Sequence, residues 1–577
     1  MKRILSIALC LFMLVPMLAA CGSSDSEDKG AVIQMYLSSD IYNFDPVYSY
    51  TDDATTKIMG LLYQGLFEIS ESGKVENALC DDYEIVEDAE NDIYKMVVTI
   101  KETGWSDGRT VSVDDIVYAW KRILDPEFSC PAASLLFNIK NAKEYNNGDV
   151  SPDDVGLYAV DSKILEIYFD GPINYNLFIE NLASPMLVPL REDVVGKAVH
   201  WSTNVAIIVT NGPFTVKAFT PKEKLTLQRN AYYYRTSKQA DDKSVNPYKI
   251  YVDLSMSSTK QLAAYNDGTV FLDSEIALDS REGWKASAKT EDLMSVHTYY
   301  FNTKNPLFAK AEVRRALSLA LDRNKMAEIA VFASPATGLI TDGVFETTRK
   351  NSFRQTGGDL ISASANMDEA KNLLKSAGVS SGSFEIMIRD SEVEKALANY
   401  ARDQWKKLGF TVTVNALKGR KYTTENEYDV YEDQFLTAFT SGEFDVAGID
   451  LQMLSTDAFG TLSQFAVGYS GTAIDLANKE DWDPKPSVTG YISEDYNSLI
   501  QLAYEADGDR EARSKYLHDA EKLLLTDCPV VPVLFMKNAY VVSKKISGVE
   551  FNYYGGFDFR DTSLKGYEAY TNVDKKN

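Results

Sequence analysis

The stretch Ile93-Tyr94-Lys95-Met96-Val97-Val98-Thr99-Ile100, then Gly104-Trp105-Ser106-Asp107-Gly108, then Val113-Asp114-Asp115-Ile116-Val117-Tyr118-Ala119-Trp120-Lys121-Arg122-Ile123, reads as strand, turn and helix in succession. The first segment is rich in β-branched and aromatic residues and ends at a turn signal, as a strand does. The two glycines bracket Trp-Ser-Asp in what is expected to be an exposed turn, where glycine accommodates positive φ. In the third segment Val113, Ile116, Val117, Trp120 and Ile123 share one helical stripe. Ile164-Leu165-Glu166-Ile167-Tyr168-Phe169 carries the same strand composition, so this region predicts an α+β lobe.

Further along, the pattern shifts to longer helices feeding strands. Asn366 caps a helix, Glu369 reaches back to it, and Gly378 closes its end. Val393, Leu397, Tyr400, Ala401, Trp405 and Leu408 fall at three-to-four spacing up to Gly409, and Phe410-Thr411-Val412-Thr413-Val414 then alternates like a half-buried strand. Two more helices, around 496–504 and 516–525, precede Pro529-Val530-Val531-Pro532-Val533-Leu534-Phe535, whose prolines favour an edge or crossover strand. This half reads as α/β. No repeat of fixed period is present, and 577 residues, 45% hydrophobic and 25% charged, predict two or three lobes rather than one core.

The N-terminus is an export signal: Lys2-Arg3 precedes an apolar run, 4–20, that is short for a spanning helix and broken by Pro16. Leu18-Ala19-Ala20-Cys21-Gly22 resembles the lipobox of bacterial lipoproteins, which implies lipidation of Cys21 and a place on the extracytoplasmic face of the cell membrane. Residues 22–30 lack any strongly apolar side chain and suit a flexible tether. The formal charge is -25, and loss of Lys2 and Arg3 with the signal takes it to -27. So acidic a surface repels phosphate backbones, which excludes nucleic acid as a partner.

Catalytic and metal signals are weak. Cys80, Cys130 and Cys528 are the only cysteines beyond the leader, which is no disulfide framework. His200, His297 and His518 are scattered without ligand spacing, so neither a His-based metal site nor a cofactor is expected. Gly378-Val379-Ser380-Ser381-Gly382 has the nucleophile-elbow spacing but follows a helix rather than a strand. Ser257-Ser258-Thr259-Lys260 lacks a Lys-Thr-Gly partner, and no phosphate-binding loop with Gly-Lys-Ser/Thr occurs. The carboxylates are too many to nominate a glycosidase pair. The chain is expected to break no bond.

Five landmarks in order resemble the oligopeptide-binding proteins of ABC importers, the family 5 solute-binding lipoproteins. They are Asn43-Phe44-Asp45-Pro46 with Leu62-Tyr63-Gln64-Gly65-Leu66-Phe67; the Gly104–Trp120 stretch; Thr210-Asn211-Gly212-Pro213-Phe214 with Leu227, Arg229, Asn230 and Tyr232; Phe301-Asn302 with Val313-Arg314-Arg315-Ala316-Leu317 and Ala320-Leu321-Asp322-Arg323; and Phe444-Asp445-Val446-Ala447. The resemblance spans residues 31 to 545. Arg314, Asp322 and Arg323 are expected on one helix as a structural ion-pair set, and Tyr232-Tyr233-Tyr234 as a structural cluster.

The resemblance implies an α/β fold with an α+β insertion, two-lobed and like the periplasmic binding proteins, with three domains and a hinge. Domain I comprises 31–75, 205–298 and 535–577, domain II 76–204, and domain III 299–534, with lobe crossings near 299 and 535. It implies a monomer that captures an extended peptide in the interlobe cleft through main-chain pairing and delivers it to permease and ATPase subunits. Carried over residue by residue, the peptide-facing positions are Thr55, Thr56, Ala132, Ala133 and Asp450-Leu451-Gln452-Met453-Leu454. This sequence departs from the pattern where relatives place a tryptophan and an amine-binding aspartate. Leu451 and Leu454 stand there, leaving Asp450 and Asp457 as substitute carboxylates. Gly448 replaces a basic residue that some relatives use for a peptide carboxyl terminus. The alternatives are a peptide-signal receptor, a binder of a sugar, nickel complex or haem on the same fold, and an extracellular peptide hydrolase.

Overall fold

A computed structural model describes residues 30–567 apart from 38–40, 42, 52, 198–199, 235–244, 347–348, 426–427, 475 and 477–487. Cys21 and the tether up to residue 29 lie outside the described residues.

One 11-stranded sheet runs through the molecule. Its order is Phe410–Leu417, Gly382–Arg389, Val446–Gln452, Lys289–Phe301, Val530–Val542, Leu272–Asp273, Val32–Tyr36, Lys249–Asp253, Lys224–Arg229 and Phe214–Thr220, with Ala333–Pro335 added on Val530–Val542. The two central strands are both 13 residues long and antiparallel to each other. One borders the half that carries helices Met367–Ser376 and Glu392–Lys406; the other continues through Val541 and Val542 into the half that carries Val32–Tyr36. The crossings expected near 299 and 535 fall within these strands.

Residues 530–535 therefore begin a crossover strand inside the sheet, the second of the two expected readings, rather than an edge. Pro529 precedes the strand, and Pro532 sits where the register slips, between the His297–Leu534 and Thr298–Pro532 pairings. At such a slip the missing N–H costs no ladder bond. The Pro532 carbonyl is used instead by Arg323 Nε, at 2.8 Å.

The opening stretch forms the predicted α+β unit. Cys80–Asp88, Ile93–Ile100, Ile164–Phe169 and Leu157–Ala159 make a separate four-stranded antiparallel sheet. The helix Val113–Leu124 buries Val113, Ile116, Ala119, Trp120, Ile123 and Leu124. Its third residue, Asp115, accepts from the Ser112 amide and from the Trp105 indole, both at 2.9 Å. Trp105 is thus fully buried, not exposed as expected. Gly108 does take a positive φ of 92°, and the Tyr232 ring lies so close that a Cβ there would sit 3.0 Å from its Cζ. Tyr234 donates to Ala78 O at 3.1 Å, so this tyrosine cluster is architectural.

Arg314, Asp322 and Arg323 do not share a helix. Arg314 lies on Ala311–Leu319, and Asp322 caps Arg323–Ala330 by accepting from Lys325 N. Both arginines are buried and bind carbonyls, Arg314 those of Phe308 and Cys528 and Arg323 that of Pro532. The charges join chain segments rather than pairing with carboxylates.

Cys80, Cys130 and Cys528 are free and buried. Burial pushes their thiols up to about 12, 12 and 11, which leaves them unreactive near neutral pH. No helix among the described residues is long and apolar enough to cross a membrane.

Candidate ligand-binding site

The strand Val446–Gln452 organises the region the sequence pointed to. Lys289–Phe301 pairs with its whole length on one side. On the other side Gly382–Arg389 pairs with it only at Val446 and Ala447, so among the described residues no strand covers Gly448–Gln452 on that edge. The turn Pro46–Thr51, from the far half of the sheet, packs against this strand. Gly448 is fixed by packing, because a Cβ there would lie 2.9 Å from Ile388 Cγ2 and 3.2 Å from Tyr299 Cε1. A basic side chain has no room at this position.

The predicted residues come from several segments of the chain. Thr55 and Thr56 lie buried on the helix Asp53–Leu62, where Thr56 Oγ1 donates to Ser49 O at 2.6 Å. Ala132 and Ala133 are buried in the turn Pro131–Leu136 and share one apolar core with Leu451, Met453 and Leu454. That turn docks on the segment after the strand: Cys130 N donates to Gly471 O at 2.8 Å, and the Ser134 and Ser463 hydroxyls meet at 2.9 Å. Nearby, Glu180 pairs with Arg349 at 2.5 Å and accepts from Thr456 Oγ1, while Lys143 donates to the Tyr469 hydroxyl. Gln452 Nε2 donates to Tyr554 O at 3.0 Å.

The two substitute carboxylates separate. Asp457 is buried and gripped by both terminal nitrogens of Arg513, at 3.0 and 2.7 Å. Asp450 lines a cavity of about 100 Å³ where the halves meet, walled by Thr51, Lys57, Ser274 and Asn538 on one side and by Arg389, Ser391 and Glu394 on the other. Its Oδ1 lies 2.6 Å from His297 Nδ1, as the cross-strand register dictates. The wall cations are engaged: Arg389 binds Asp433 at 2.6 Å, and Lys57 donates to Ser274 O at 3.3 Å.

Sequence reasoning missed His297, Glu394, Lys57 and Arg389. His297 carries no motif, and only the strand register reveals its partner. Glu394 sits three residues after the cap Ser391, so in sequence it reads as a helix-start acid.

A family model for bacterial extracellular solute-binding proteins, family 5 Middle, matches residues 74–465. The Bacillus subtilis oligopeptide-binding protein OppA is 23% identical over 98% of this chain and 100% of its own. The substrate-binding domain of an oligopeptide ABC transporter from Bacillus anthracis superposes with a TM-score of 0.77 at 21% identity, covering 92% of this chain and 98% of that one. The Escherichia coli murein tripeptide binding protein MppA gives 0.72 at 20% identity over 93% and 98% of the two chains, whereas its unliganded open form gives 0.53 at 20% over 93% and 97%.

The chain belongs to the family 5 bacterial extracellular solute-binding proteins. This is a family of transporter substrate-binding proteins, not enzymes, and its two-lobed α/β fold is the one seen here.

Proposed function

We propose that this protein captures oligopeptides between its lobes and delivers them to an ABC importer, while a lipid on Cys21 holds it at the outer face of the cell membrane. The observation that carries the reading is the strand edge Gly448–Gln452, which among the described residues has no strand partner, on a strand that the turn Pro46–Thr51 of the opposite half packs against. An extended peptide pairs with such an edge through its main chain, which gives affinity with little sequence preference. Thr55, Thr56, Ala132, Ala133 and 450–454 then form the walls, in three domains bounded as the sequence suggests. Relatives with peptide-binding names that match nearly end to end support the same reading.

Of the two substitute carboxylates, Asp450 serves the ligand's amino terminus, because Asp457 is already neutralised by Arg513. Calorimetry with one peptide in free and acetylated forms tests this. Asp450→Asn should weaken the free form at least tenfold more than the acetylated form. Equal losses for both would remove Asp450 from that role.

A further inference from the structure

The floor of the interlobe cavity holds a donor set that peptide capture does not require. His297, Glu394 and Asp450 come from three segments, the strand Lys289–Phe301, the helix Glu392–Lys406 and the strand Val446–Gln452. One donor atom from each lies within 4.8 Å of the other two. His297 is 1% exposed, and its Nε2 is buried without a hydrogen-bond partner. The other ring nitrogen, Nδ1, faces Asp450 Oδ1 at 2.6 Å, and an ion taking the place of the proton they share would be held by both. The Tyr299 hydroxyl is also buried without a partner, and its ring meets that of His297 edge-on at 5.4 Å.

Two carboxylates beside an imidazole in a half-closed cavity concentrate negative charge where solvent screens it poorly. Of the cavity's cations, Arg389 binds Asp433, Arg281 binds Glu275, Lys537 binds Asp292, and Lys57 donates to the Ser274 carbonyl. We propose that His297, Glu394 and Asp450 form a binding site for one divalent first-row transition ion of the zinc class, one donor from each, with remaining positions filled by water from the cavity. One nitrogen with two carboxylate oxygens suits such an ion better than calcium or magnesium, which take oxygen alone. Ligands around zinc stand roughly 3–4 Å apart, so binding draws the three side chains inward by a rotamer adjustment. The ion ties the ligand-facing strand to its neighbours and competes with a ligand ammonium for Asp450. His297 stands next to the expected crossing and Glu394 and Asp450 lie beyond it, and none of the three donors is supplied by a bound peptide.

The test uses purified mature protein, stripped with a chelator and titrated with zinc chloride. Calorimetry and elemental analysis should find one zinc per chain. His297→Gln and Glu394→Gln should each weaken binding tenfold or more, while His200→Gln leaves it unchanged. Cobalt provides an optical readout, since a visible absorption band on the wild type should fade in His297→Gln. Circular dichroism on each variant checks the fold, and peptide titration of the same samples reports capture separately. Absence of stoichiometric zinc on the wild type, or full affinity in both His297→Gln and Glu394→Gln, would overturn the site even where peptide binding persists.

Discussion

Asp273 shows how much a single buried carboxyl controls. It lies fully buried on the two-residue strand Leu272–Asp273, with Oδ1 accepting from Glu275 N at 3.0 Å and Oδ2 left without a partner. Burial pushes its pKa up to about 7; the charge of Glu275 adds to the rise, and Lys57 and Arg281 oppose it. A raised carboxyl pKa favours the protonated folded form, so this contribution is complete below the ordinary value of 3.8 and is lost as pH climbs through about 7. Asp273→Asn, which cannot ionise, should therefore gain on the wild type between about pH 4 and pH 7.5, by on the order of 4 kcal/mol at full extent. Urea unfolding across that range measures it, and parallel profiles would contradict it. Asp457 behaves in the opposite way, as a carboxylate fixed by its cation. Arg513→Met should cost about 3–5 kcal/mol by stranding that charge, and calorimetry of the folded protein should show peptide affinity almost unchanged. A large affinity loss with normal stability would return Asp457 to the binding site.

Among the elements, those with strong local periodicity were legible in the sequence. Ile93–Ile100, Ile164–Phe169, Val113–Leu124 and Phe410–Leu417 fall where alternation and helical spacing put them. Misreadings arose where tertiary contacts override local pattern. Trp105 is buried because Asp115 receives its indole, and Arg314 and Arg323 fall on separate helices, each binding carbonyls of other segments. The Asp450–His297 contact joins residues 153 apart in sequence, beyond the reach of any spacing rule. The same contrast bears on closure. Gly471 has φ +62°, and a Cβ there would lie 1.9 Å from Cys130 O, so the docking of Pro131–Leu136 on this segment requires glycine. Gly471→Ala should force the contact apart at a cost of roughly 1–3 kcal/mol and weaken peptide binding. Small-angle scattering should show an expanded particle, and an unaltered particle with unaltered affinity would mean the contact yields freely.

At the scale of the whole molecule, two long strands run between halves that meet at the cavity lined by Asp450, and in the proposed reading the facing surfaces hold the ligand. A ligand shifts such a pair of states only by binding the closed form better. Here the turn Pro46–Thr51 of one half packs against the strand Val446–Gln452 of the other. Scattering on ligand-free protein should show a larger radius of gyration that falls on adding peptide, and no change would count against a hinge in the two crossing strands. The most direct test of peptide capture is native mass spectrometry of residues 22–577, purified without denaturation and then stripped of whatever it carries. A distribution of co-purified peptide masses is the predicted result. A single non-peptide solute, or an empty protein that also fails to retain any member of a mixed peptide library, would contradict it.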